Sequence, residues 1–294
     1  MISEIFVPIT NEVELSAVEE TLFSSFDVVE KHMKKALSLY SDRLHPDYEN
    51  SVKESISAVE SMCCIITGES GKTATFAALL RRVMEEETAI EGNVVTLEQP
   101  IEFSFDSIKS HRCVIAQSEI PTHFSSFEMG IEEAMRRVPR LIVVGEQRDY
   151  QTMAAAQEAA NTGHAVYTTV HSNTSSLAIQ RIVGKFPREM QSQAFEMAVA
   201  TTHMIVSQVL VRNTSGGRVC LREWVVLDDD ARQELTKVGF LGSRAFLYDL
   251  MCRGGHGKPM KATVAEQFKS GNISEDAARL ALKRYGYSRS ERII

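Results

Sequence analysis

MCCIITGESGKTATFAALLRRVM, residues 62–84, is the stretch that decides the fold. Its first part, Met62–Ile66, is a short apolar run ended by Thr67 and Gly68, the pattern of a buried parallel strand. Past the turn, Phe76, Leu79, Leu80, Val83 and Met84 recur at helical spacing, so the next element is a helix with one face to bury. Gly68, Glu69, Ser70, Gly71, Lys72, Thr73 and Ala74 then lie where backbone N–H groups and a helix N-terminus converge, a setting that suits the phosphates of a nucleotide. In such a loop Lys72 reaches the terminal phosphates of ATP and the Thr73 hydroxyl holds Mg²⁺. The usual spacing, G-x-x-x-x-G-K-[ST], would place a glycine where Ile66 stands. Either the loop is two residues shorter than usual, or Gly68 supplies the missing flexibility.

Working outward, 294 residues with 44% hydrophobic content are enough for one large domain or two smaller ones. Apolar runs of about five residues fall far short of the roughly 20 that cross a bilayer. The start, MISEIFVPIT, lacks the basic segment and apolar block of an export signal, so a cytoplasmic protein is expected. Cys63, Cys64, Cys113, Cys220 and Cys252 contain no C-x-x-C, which argues against a zinc site or a disulfide framework. The net charge of −7 is uneven: residues 231–294 carry 12 Lys and Arg against 6 Asp and Glu. The acidic remainder argues against general nucleic-acid binding, and no sequence-specific contact is expected, while the basic tail suits a solvated face, a partner or an anionic membrane surface.

Along the chain, helices are expected over roughly 17–41 and 48–61, separated by His45, Pro46 and Asp47. Strands follow at 93–97, 112–116, 141–144 and 165–170. Between them lie a helix carrying Phe127, Ile131, Ala134, Met135 and Val138, stopped by Pro139, and another over about 150–161. This alternation predicts an α/β fold with a parallel sheet and helices on both faces, whose ligands gather at the C-terminal strand ends. A long helix over 189–205 should lead to the strands VSQVLVR and VCLREWVVL, a glycine-turned hairpin at an edge of that sheet, with the remainder helical.

Hydrolysis of a nucleoside triphosphate needs a phosphate cradle, a metal ion, a carboxylate that orients water, and cations for the developing charge. Glu146, after the apolar strand 141–144, is placed to act through Mg²⁺ or to polarise water. Glu102 follows another strand and is the choice for positioning the attacking water. Arg148, Arg136 and Arg137 are candidates to contact phosphate, within one subunit or across an interface. His164 and His171 flank the last of these strands.

TLEQPIEF (96–103), VVGEQRD (143–149) and TGHAVYTTVH (162–171) resemble the acidic box, Walker B box and histidine box of the type II and type IV secretion ATPases. AQSEIPTHFSSF (116–127), AMRRVPRLIVVGE (134–146) and VCLREWVVLDDDAR (219–232) are most similar to the DotB and TraJ group of type IVB secretion and IncI-type conjugation systems. The resemblance implies a homo-hexameric ATPase with a RecA-like core, docked on a secretion or conjugation machine at the cytoplasmic face of the inner membrane. By that likeness Lys72 and Thr73 bind phosphate and Mg²⁺, Glu102 is the second acid of the acidic box, and Glu146 is the Walker B glutamate. His164 and His171 become the box histidines that couple nucleotide state to neighbouring subunits. It also implies three regions: a shortened remnant of a PAS-like domain over 1–60, the ATPase core over 61–230 and a helical region over 231–294. Gln99 stands where many relatives carry Asp.

Two other classes lack their marks: no N-K-x-D follows to select guanine, and there is no L-S-G-G-Q-like signature of ABC-type ATPases. Two relatives of the motor reading stay open, a nucleotide-binding ring scaffold with little hydrolysis and a pilus retraction ATPase.

Overall fold

The computed structural model describes residues 72–85, 90–106, 108, 110–253, 255–288 and 293, with the backbone alone at 72–76, 82 and 85. The helices expected over 17–41 and 48–61, the strand over 62–66, and Gly68, Glu69, Ser70 and Gly71 lie outside them. The chain divides into two units, one of residues 1–92 with 102–114, the other of residues 93–101 with 115–294.

In the first unit, α1 (Lys72–Glu85) begins at the lysine of the phosphate-loop motif. Of its expected apolar face Leu80, Val83 and Met84 are buried and Leu79 is half-buried, with Ala77 and Ala78 buried beside them. Within the same unit the Cys113 thiol lies 3.1 Å from the Ile90 carbonyl oxygen, Gly92 N–H donates to Arg112 at 2.9 Å, and Arg112 pairs with Glu91.

The second unit holds the main part of a four-stranded sheet of order β2-β1-β3-β4, from β1 (Gly92–Glu98), β2 (Cys113–Glu119), β3 (Pro139–Val144) and β4 (Ala165–Thr168). The pairs β1–β3 and β3–β4 are parallel, with Leu97 beside Val144 and Val144 beside Thr168. Leu141, Ile142, Val143 and Val144 are all buried, because a parallel strand covered on both faces needs an unbroken apolar run. Helices α2 (Phe127–Met135) and α3 (Tyr150–Asn161) bring Phe127, Ile131, Ala134, Ala156 and Ala159 onto Val95, Leu97, Ile142 and Val144. Each begins on a side-chain cap, Ser126 accepting from Met129 N–H and Asp149 from Thr152 N–H. Pro139 does not stop α2, which ends at Met135. Val138 turns the chain at φ 51°, 79% exposed, and Pro139 opens β3.

A 3₁₀ turn (Ser175–Leu177), α4 (Ala178–Val183) and α5 (Gln191–Thr201) lead to β5 (Met204–Arg212) and β6 (Arg218–Val226). The helix expected over 189–205 is thus shorter, and its last residues are strand. The hairpin does form, but it is not an edge of the parallel sheet. It belongs to a separate antiparallel sheet of order β5-β6-β7, where β7 (Gly257–Lys258) pairs through Trp224↔Lys258. After it come α6 (Asp229–Cys252), kinked at Gly239, α7 (Met260–Lys269) and α8 (Glu275–Arg284). Two apolar clusters frame the hairpin. One joins α4, α5, α6 and Val225; the other joins Val209, Val211 and Leu221 to α7 and α8. Among the described residues, no helix is long and apolar enough to cross a membrane.

Gly257 marks how tightly β7 is pressed into place. A Cβ there would lie 2.4 Å from the Trp224 carbonyl oxygen and 3.0 Å from Met251 Cα. Gly257→Ala should therefore cost about 2 kcal/mol by overpacking and lower the thermal midpoint by about 4–8 °C. An unchanged midpoint in a melting scan would show that β7 can move away at no cost.

Candidate functional site

Parallel strands release their next residues at one edge of the sheet, and here β3 and β4 release the loops carrying Glu146 and His171. Two hydrogen bonds join those loops, Gln147 N–H to the Thr169 carbonyl at 2.9 Å and Thr169 Oγ1 to the Gly145 carbonyl at 2.7 Å, while Gly145 N–H donates to the Leu97 carbonyl of β1 at 2.8 Å. Gly145 suits this position because a Cβ would come within 3.1 Å of the Leu97 carbonyl oxygen and 3.4 Å of Glu98 Cα.

Each oxygen of the Glu146 carboxylate has a basic side chain beside it. His171 Nε2 lies 2.6 Å from Oε1, while Arg148 donates through Nε at 2.7 Å and approaches through Nη2 at 2.6 Å, both to Oε2. Glu146 is mostly covered at 18% exposure, whereas His171 and Arg148 are open at 71% and 61%. The hydrogen bond from Arg148 to this carboxylate, and then its charge, hold the guanidinium above its usual range. The trio borders a cleft of ≈ 190 Å³ whose lining includes Gln147, Met153, Val170, Arg181 and Lys185.

Other expected residues fall elsewhere. His164 stands at the start of β4, the opposite end from His171. Its Nδ1 is 3.1 Å from the Ala159 carbonyl oxygen, so it closes the end of α3. Glu102 is exposed and belongs to the first unit. The acid that the second unit sets beside Gly145 is Glu98, held by Thr96 Oγ1 at 2.6 Å and Gln117 Nε2 at 3.1 Å. Arg136 pairs with Glu133 at 3.2 Å, and Arg137 lies 5.8 Å from the Phe124 ring centre. Lys72, Thr73 and Ala74 begin α1 in the first unit.

Sequence reasoning passed over Gln147, Arg181 and Lys185. The last two are four residues apart, Arg181 within α4 and Lys185 just past its end, soon after the histidine loop, and that spacing is the available signal.

A strand-end carboxylate with a histidine and an arginine beside its two oxygens, at the C-terminal edge of a parallel sheet, is a candidate catalytic or ligand site. The chain belongs to the Type II/IV secretion system protein family, whose profile matches residues 28–254. Among solved structures it is similar to the ATPase DotB of Yersinia pseudotuberculosis, with 38% identity and a TM-score of 0.69 over 74% of this chain and 55% of that one. DotB of Legionella pneumophila follows at 35% and 0.68, over 72% and 57%. It is also 33% identical to the type IV pilus retraction ATPase PilT of Pseudomonas aeruginosa, over 58% of this chain and 48% of that protein. The chain thus spans about half the length of the curated relatives it matches. A pilus retraction motor PilT solved with bound ADP matches with 31% identity and a TM-score of 0.63, over 72% of this chain and 58% of that one.

Proposed function

We propose that this chain is an ATP-hydrolysing, homo-hexameric motor of a type IVB secretion or conjugation system, working at the cytoplasmic face of the inner membrane. The observation that carries the reading is the engaged Glu146, whose oxygens meet His171 and Arg148 at the ends of two adjacent parallel strands. Likeness to DotB at 38% and 35% identity supports the type IVB assignment, and likeness to PilT at 33% keeps pilus retraction as the second reading.

In this mechanism Lys72 and the loop before it hold the phosphates, Glu102 positions the attacking water, and Glu146 polarises it or acts through Mg²⁺. Arg148 and His171 keep that carboxylate aimed and are available to the charge that develops on the departing phosphate. Mg²⁺ takes oxygen ligands, commonly one or two from protein, with phosphate and water completing its shell. The Glu146 carboxylate and the Thr73 hydroxyl fit that chemistry. When bound, the ion would neutralise charge on the phosphate chain. Glu98, beside Gly145, is a second acid at the same strand ends. Glu102 keeps its place in the proposal as the water-positioning acid of the acidic box.

The test is steady-state ATP hydrolysis with Mg²⁺ across protein concentrations that span ring assembly. Turnover rising with assembly supports a motor with shared sites; bound ATP without turnover supports the scaffold. Lys72→Ala should weaken ATP binding about tenfold or more, the worth of a charge-assisted hydrogen bond. Unchanged affinity in a fluorescent-nucleotide titration would remove the phosphate-loop assignment.

A further inference from the structure

We propose that Glu223 is a positioning residue for the loop that carries His171, and that through it the C-terminal helices α7 and α8 set how His171 meets Glu146. The proposal rests on the ATPase reading above. Glu223 lies in the middle of β6 and is 3% exposed. Its Oε1 accepts from Ser175 N–H at 2.6 Å and from Ser175 Oγ at 2.9 Å, and its Oε2 faces Met260 N–H at 3.4 Å. Ser175 opens the 3₁₀ turn that follows the histidine loop, and Met260 is the first residue of α7. One carboxylate thus ties the 3₁₀ turn at Ser175 to the first N–H of α7, where the unpaired N–H groups of a helix start favour negative charge.

Burying a carboxylate is costly unless it is fully hydrogen-bonded, and an apolar side chain of similar size would fill the same space without that cost. What an apolar residue cannot do is accept from both sides at once. Burial pushes the Glu223 carboxyl above its usual range, and the donors on Ser175 and Met260 hold it back.

On the histidine side, the four residues from His171 to Ser175 leave little slack. Ser172 Oγ donates to the Thr174 carbonyl at 2.8 Å, Leu177 N–H donates to Thr174 Oγ1 at 3.2 Å, and Thr174, Ser175 and Ser176 are buried. On the other side, Thr263 Oγ1 of α7 donates to the Arg222 carbonyl at 2.7 Å, and Met260 and Val264 share an apolar cluster with Ala278, Ala281 and Leu282 of α8. A shift of α7 and α8 therefore moves the acceptor that anchors Ser175. His171, four residues back, is moved with it.

The test measures kcat and KM for ATP in the wild type, Glu223→Ala, Glu223→Gln, His171→Ala and the Glu223→Ala/His171→Ala pair, with amide hydrogen exchange on each. Glu223→Ala should lower kcat about tenfold with KM within about twofold. Glu223→Gln, whose amide oxygen still accepts from Ser175 while its NH₂ meets Met260 N–H as a second donor, should recover part of the loss. In the His171→Ala background Glu223→Ala should change kcat less than about twofold, because the two act as one unit. Amides of residues 172–177 should exchange about tenfold faster in Glu223→Ala while those of β3 keep their protection. Equal kcat losses in both backgrounds, or faster exchange throughout the unit, would overturn the proposal. Should Glu223→Ala fail to fold, Ser175→Ala deletes one donor only; a kcat drop of about threefold, absent without His171, upholds the proposal, and an unchanged kcat overturns it. If the wild type does not turn over ATP, the ATPase reading falls, and exchange at 172–177 alone decides the positioning role. It also decides alone if His171→Ala leaves too little turnover to measure.

Discussion

Glu146→Gln is expected to lower kcat for ATP about 10²–10³-fold while leaving nucleotide affinity within about threefold, the size of effect seen when one preorganised polar group is removed at a developing charge. The amide matches the carboxylate in shape, so the ties between the β3 and β4 loops survive. Charge is what is lost. His171 Nε2 at 2.6 Å and the two Arg148 nitrogens at 2.6 and 2.7 Å would then face a neutral group, and an attacking water would meet an amide in place of a charged carboxylate. Nucleotide binding by fluorescence and turnover by phosphate release, on the same preparation, separate the two effects. Wild-type turnover in this variant would rule out Glu146 as the Walker B glutamate.

The second large effect is on stability. Leu247 is 0% exposed in the cluster that also holds Ile179, Val183, Phe195, Val225, Leu227 and Leu235. Leu247→Ala leaves a cavity and should cost about 3 kcal/mol, lowering the thermal midpoint by about 6–12 °C. Because the cluster joins α4 and α5 to α6, one unfolding transition should shift as a whole rather than split in two. A loss below about 1 kcal/mol in urea denaturation would mean that the site collapses around the smaller side chain.

Much of the parallel sheet was legible in the chain, for physical reasons that differ by element. Leu141–Val144 reads as a strand because burial on both faces demands apolar residues without interruption. Phe127, Ile131 and Ala134 read as one helix face and are buried together. Val138 fits the same period and yet lies outside the helix, since periodicity does not say where a helix ends. The β5–β6 hairpin was visible in its strands and glycine turn, but not which sheet it joins. An antiparallel strand carries the same alternation whichever neighbour pairs with it. In the site, Glu146 and His171 stood out because each follows an apolar strand. Glu223 did not: a charged residue within a strand usually reads as a solvated rung, and only the fold reveals the Ser175 turn and the start of α7 converging on it.

The hairpin also bears on the order of assembly. Its nine paired positions, from Met204↔Val226 to Arg212↔Arg218, are joined by a five-residue connection, so every partner is near in sequence. Such a ribbon closes in about 1–10 μs. The pairs β1–β3 and β3–β4 must instead wait for α2 and α3 to cross over the sheet, and the delay grows with the separation of the partners. During refolding the antiparallel ribbon should gain exchange protection first, giving α7 and α8 a template before the parallel strands have met.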